Sequence, residues 1–123
     1  MSNQEINDGE ELWAVADLCL IPMGVADPSV GPQIAECQRV LEKSGVEYTM
    51  HGYGTNIEGP WSKVTKVIYD CHVAVHKLGT PRISSDIRIG TRVDRKITGG
   101  GNKGKKERVE QILAKDKEQS TSA

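Results

Sequence analysis

A chain of 123 residues with sixteen Lys and Arg against seventeen Asp and Glu carries a formal charge of -1, so no global field favours nucleic acid or an anionic membrane surface. One domain burying roughly two-thirds of its unfolded surface is expected at this length, without disulfide staples. Cys19, Cys37 and Cys71 lie within apolar stretches and lack CxxC spacing, which points to small core residues in a reducing compartment.

Residues 1–11 are polar and acidic, and nowhere does the chain approach the about 18 continuous apolar residues of a membrane span. They read as a disordered leader on a cytoplasmic protein with no membrane or nucleic-acid partner. Trp13 to Ile21 is rich in Val, Leu and Ile and meets Pro22, so it is expected to be a first strand ending at that proline. Ala14, Ala16, Leu18 and Leu20 share one face, and Val15, Cys19 and Ile21 share the other with Asp17. Two largely apolar faces predict a central strand covered on both sides, whereas one small domain has helices for a single side. Another copy of the chain is the expected second cover. Asp17 is expected either to pair with Arg88 or Arg92 in an interface or to be exposed near the strand's end.

After a loop over residues 23–29, Ser29 reads as the N-cap of a helix from about Val30 to Ser44, stopped by Gly45. Val30, Ile34, Cys37 and Leu41 recur at helical spacing as its buried stripe. Val46 to His51 reads as a short strand and Thr55 to Glu58 as its hairpin partner. Pro60 then leads into a second helix from Trp61 or Ser62 to Leu78, with Val64, Val67, Ile68, Cys71, Val75 and Leu78 on its apolar face.

Arg82 to Arg95 places Ile83, Ile87, Ile89 and Val93 at odd positions and Arg82, Asp86, Arg88, Arg92 and Asp94 at even ones. This alternation predicts one strand with a buried face, reaching about 45 Å. Gly99-Gly100-Gly101 reads as a flexible hinge before a third helix from Lys105 to about Lys117. Its stripe of Val109, Ile112 and Leu113 is too small to anchor that helix on its own domain. The cluster Lys103, Lys105, Lys106 and Arg108 reads as a solvated surface, and residues 118–123 as a disordered tail.

The order strand, helix, strand, strand, helix, strand predicts an α+β, ferredoxin-like βαββαβ domain over residues 12–117: an antiparallel four-stranded sheet with both helices on one face and an extra C-terminal helix. An overlong strand and an uncovered sheet face make a homo-oligomer the expectation. The loop Gly52-Tyr53-Gly54-Thr55-Asn56-Ile57-Glu58-Gly59-Pro60-Trp61 joins three glycines to a hydroxyl, an amide, a carboxylate and two aromatics, a composition suited to a small polar ligand.

Ile21-Pro22-Met23-Gly24 with Pro28-Ser29-Val30, Gly54-Thr55-Asn56-Ile57-Glu58-Gly59, and Ile87-Arg88-Ile89-Gly90-Thr91-Arg92-Val93-Asp94-Arg95 together resemble the small ferredoxin-like thiamine-binding proteins of bacteria, archaea and fungi. The resemblance spans roughly Trp13 to Thr98. It implies a homo-oligomer, a tetramer, holding thiamine or its pyrimidine fragment between subunits, and it does not imply catalysis. The Gly-Gly-Gly break and the Ser-Thr tail depart from the family pattern.

For such a ligand, Glu58 and Asn56 are expected to bond the aminopyrimidine, Thr55 to add a polar contact, Trp61 or Tyr53 to stack, and Ser29 to approach through its turn. Solvation of Glu58, packing of Trp61 and helix capping by Ser29 are the alternative roles of those residues. His72 and His76 have zinc-compatible spacing without enough further ligands, so no metal is expected. No Ser-His-Asp order, catalytic carboxylate pair or activated thiol is present to argue for an enzyme. The reading is therefore non-catalytic binding of thiamine or a related pyrimidine by a carrier, buffer or sensor with no cofactor of its own. A small enzyme of thiamine or pyrimidine metabolism and an interaction module without ligand are the alternatives.

Overall fold

Period two along the first strand sends Ala14, Ala16, Leu18 and Leu20 to one side, and that side becomes the core. In the computed structural model, which describes residues 11–121, the elements are β1 (Trp13–Met23), α1 (Gly31–Ser44), β2 (Glu47–His51), β3 (Gly54–Pro60), α2 (Trp61–Lys77), β4 (Arg82–Gly90) and α3 (Gly101–Thr121). The sheet is antiparallel in the order β2-β3-β1-β4. This is the α+β, ferredoxin-like arrangement with an added C-terminal helix. Residues 1–10 of the expected leader and 122–123 of the expected tail lie outside the described residues.

The four β1 residues pack with Ile57 of β3, Cys37 and Leu41 of α1, and Val64, Val67, Ile68, Cys71 and Val75 of α2, all of them buried. Each large aliphatic side chain removed from water here contributes about 1.5–3 kcal/mol. Cys19, Cys37 and Cys71 are free thiols. The start of β3 can lie this close to β1 only because position 54 lacks a side chain: a Cβ on Gly54 would lie 2.4 Å from the Leu18 carbonyl oxygen.

Several boundaries differ from the sequence expectation. β1 continues through Pro22 to Met23, paired there with β4 alone, since its pairing with β3 covers Trp13 to Leu18. A residue without an N–H is tolerated where one neighbour is missing. β4 stops at Gly90, not Arg95, because Gly90 already pairs with Val15 and little of β1 remains beyond it. Val93 thus falls outside the strand, and Ile87 on this edge strand is 45% exposed. The N-cap of α1 is Val30, with no side-chain cap, while Ser29 Oγ accepts the Gly31 N–H at 3.4 Å. At α2, the Trp61 N–H donates to the Leu12 carbonyl and the Glu11 carboxylate accepts from the Ser62 N–H and Oγ–H at 2.8 Å each. Glu11, expected in a leader, is therefore the acceptor for a helix N-terminus.

Candidate functional site

The register puts two rows of polar residues on the sheet face away from α1 and α2. Asp17 of β1, Asn56 of β3 and Thr49 of β2 form one row, and Val15, Glu58 and Glu47 form the next. Alternation requires their side chains to project opposite to Thr55 and Ile57, which are buried toward the helices. α3 begins over this open face.

Its start is held by carboxylates. Glu58 is only 2% exposed, and its oxygens accept the Trp13 indole N–H at 2.9 Å, the Gly101 N–H at 2.8 Å and the Asn102 N–H at 3.0 Å. Glu47 accepts the Gly100 N–H at 3.0 Å. The first helical bond, from Gly104 N–H to the Gly100 carbonyl, makes Gly100 the cap residue. Gly100 has no side chain to cap with, so Glu58 and Glu47 supply the acceptors from the sheet, in the position the helix dipole favours. The expected hinge at Gly99-Gly100-Gly101 is thus a docked helix start. α3 begins at Gly101 and runs past Lys117 to Thr121.

Position 101 is tight for a side chain, since a Cβ there would lie 3.0 Å from both Glu58 Oε2 and Val15 Cγ2, which would have to give way. Glu47 and Glu58 face each other across β2 and β3, and their titrations diverge. Burial works against a charged Glu58, but the hydrogen bonds from Asn102, Trp13, Gly101 and Glu47 outweigh it and hold its carboxyl below the usual range. Desolvation, then the hydrogen bond with Glu58, pushes Glu47 up.

Asp17 pairs with His51, whose Nε2 lies 2.6 Å from Asp17 Oδ1. Within one chain neither Arg88 nor Arg92 pairs with it: Arg88 lies opposite in the strand register, and Arg92 is paired with Asp94. His51 Nδ1 accepts the Tyr53 N–H at 3.2 Å, which assigns the proton to Nε2 and aims it at the Asp17 carboxylate. Asp17, Thr49, His51, Asn56, Glu47 and Glu58, with Lys103 and Lys106 from α3, line a cleft of about 710 Å³. That volume suits a small heterocycle.

The sequence pattern of the family described as "Thiamine-binding protein" matches residues 16–110. The chain belongs to the thiamine-binding protein family. Over 84 residues it is 54% identical to a UPF0045 protein of Synechocystis, covering 68% of this chain and 69% of that protein. A UPF0045 protein of the fungus Eremothecium gossypii is 38% identical over 88 residues, with 72% and 84% covered. Among solved structures, a hypothetical protein of Methanocaldococcus jannascii superposes with a TM-score of 0.64 at 26% identity, over 70% of this chain and 87% of that one. A Thermotoga maritima protein provisionally described as acting in thiamine biosynthesis or salvage has a TM-score of 0.59 at 17% identity, over 76% and 97%, and shares the fold.

In this member of the thiamine-binding family, the sheet divides the residues expected to hold a ligand. Asn56 and Glu58 line the cleft, and Ser29, Tyr53, Thr55 and Trp61 do not. Thr55 lies on the opposite face, where its Oγ1 accepts from Gln38 Nε2 at 3.0 Å. Tyr53 is 89% exposed at the hairpin turn and Trp61 is 42% exposed at the start of α2, so β3 separates them by about 20 Å. One small ligand within one chain cannot stack on both.

Asp17, Glu47, Thr49 and His51 join the cleft without any local sequence motif that marks them as ligand residues. Their signal was the alternation itself, which sets them on the Asn56 face once the strands are paired. His72 Nε2 lies 2.6 Å from Ser85 Oγ and His76 Nδ1 donates to the Thr80 carbonyl at 2.8 Å. No group of three His, Cys, Asp or Glu placed to hold a metal ion occurs among the described residues.

Proposed function

We propose that this protein binds thiamine or a related aminopyrimidine without transforming it, in the cleft between the open sheet face and α3. The observation that carries this reading is the row Asp17, Asn56, Thr49 along the cleft floor. The Asn56 amide offers a donor and an acceptor side by side, matching a ring nitrogen and exocyclic amine of an aminopyrimidine, and the Asp17 carboxylate accepts from an amine. Asp17, Glu47 and Glu58 outnumber Lys103 and Lys106 among the charged residues of the cleft, a balance that fits a thiazolium cation. The site so read keeps Asn56 and Glu58 and takes Asp17, Thr49, His51 and Glu47 in place of Ser29, Tyr53, Thr55 and Trp61.

Binding without turnover fits the use of both His51 ring nitrogens, one facing Asp17 and one accepting the Tyr53 N–H, which leaves that imidazole no lone pair for proton transfer to a ligand. A second copy of the chain closing the open face, in a homotetramer, fits the exposed Val109, Ile112 and Leu113 of α3. No described helix is long and apolar enough to cross a membrane, which fits a cytoplasmic carrier, buffer or sensor. Calorimetric titration of thiamine into the wild type and Asn56→Ala tests the site. A loss of affinity of about tenfold or more is expected from removing a paired donor and acceptor. Equal affinity in the two proteins would refute the assignment.

A further inference from the structure

A second cleft, of about 930 Å³, lies on the open face on the other side of the first turn of α3, between residues 91–100 and that helix. We propose that it is a binding site for a small organic diphosphate, whose phosphates meet Arg95, Lys105 and Arg108 and whose organic part rests on Trp13, Val15 and Ile97. All six line the cleft. The inference does not rest on the thiamine reading, which concerns the other cleft.

Charge is the first argument. Residues 91–108 carry seven Lys and Arg against two Asp and Glu, leaving nine and fifteen for the rest of the chain, so a protein of nearly zero net charge has one strongly basic segment. The fold bends that segment around a concavity instead of spreading it over a solvated helix face. Arg92 also lines the cleft but is neutralised by Asp94. The one lining carboxylate, Glu107, is 3.8 Å from Lys103, a residue of the other cleft. Arg95, Lys105 and Arg108 make no ion pair among the described residues. Three such cations exceed what one phosphate monoester, with a charge of about -2, neutralises, and two linked phosphates suit them better.

The second argument is how the site would be built. Backbone donors at the start of α3 are not available to an anion, because Gly100, Gly101 and Asn102 give theirs to Glu47 and Glu58. Recognition therefore falls to the side-chain cations, and the arginine forks at 95 and 108 are shaped for two-point contact with phosphate oxygens. At the far wall the Trp13 indole is fixed by its bond to Glu58, so a flat ring meets an ordered aromatic surface.

Calorimetry at low salt with inorganic pyrophosphate and with adenosine diphosphate provides the test. Both are expected to bind, and Arg95→Gln/Arg108→Gln is expected to weaken both by about tenfold or more. Lys43→Gln/Lys106→Gln removes the same charge from outside this cleft and is expected to change either by less than about twofold. Circular dichroism checks that both variants stay folded, and Asn56→Ala should leave pyrophosphate binding intact whether or not thiamine binds. Absence of binding, equal losses in the two double variants, or tighter binding of a DNA duplex that displaces the nucleotide would each overturn the proposal.

Discussion

The two faces of the sheet are built on different physics. Toward α1 and α2, alternate residues of β1 and β3 disappear into a packed aliphatic core in which Ala14, Leu41, Ile57, Val64, Cys71 and Val75 are all 0% exposed. On the other side lie Asp17, Thr49, His51 and Asn56, two carboxylates, and a helix attached by a few hydrogen bonds while its own Val109, Ile112 and Leu113 are 54%, 45% and 54% exposed. One face is specified by volume, the other by polar pairing. A face that has given up apolar burial for directed polar groups is where ligand chemistry has room to occur.

Substitutions can separate the two. Leu41→Ala should lower the unfolding free energy by about 3 kcal/mol, since a fully buried leucine leaves a cavity. Urea denaturation at fixed protein concentration measures it, and ligand affinity of the remaining folded protein should not change. Glu58→Ala should cost less, about 2 kcal/mol, by stranding the Trp13 indole and two α3 N–H groups. Its signature is regional: faster amide exchange at Gly101 and Asn102 with the α1 and α2 amides still protected. Equal acceleration throughout would remove the distinction between the faces.

Gly101→Val is expected to cost about 1 kcal/mol by forcing α3 off Val15 and Glu58. Acid should loosen the same contact. The folded carboxyl of Glu58 lies below its ordinary value of 4.5, so its stabilisation is fully present above that pH and lost as pH falls through the lower folded value. Glu47, held above 4.5, contributes in the opposite sense, with stability present below that value and withdrawn as pH rises through its folded one. The protection of the Gly101 amide, taken against its intrinsic exchange rate at each pH, should therefore fall at the acidic end in the wild type, and that fall should be absent in Glu58→Gln. The smallest effect is expected for Asp17→Asn, at most about 0.5 kcal/mol of stability, because its hydrogen bond with His51 is exposed to solvent.

Local pattern made the core face legible. The spacing of Val64, Val67, Ile68, Cys71 and Val75 and the alternation of Ala14 to Leu20 are sufficient to place them. The same alternation separates Thr55 and Ile57 from Asn56 and Glu58, whereas ligand chemistry alone places Thr55 with Asn56. The start of α3 was illegible for a different reason. Glycine disfavours helix locally, and the carboxylates that hold Gly100, Gly101 and Asn102 lie on strands more than forty residues away in sequence. Isoleucine spacing alone likewise could not reveal that β4 runs out of partner at Gly90.

Titrating thiamine into isotope-labelled protein and following backbone amides by NMR asks most directly whether the open face is the binding face. The account predicts that the largest shifts fall at Asp17, Thr49 and Asn56, with Ser29, Tyr53 and Trp61 little affected. Shifts concentrated at Ser29, Tyr53 or Trp61 with the sheet row unchanged would contradict it.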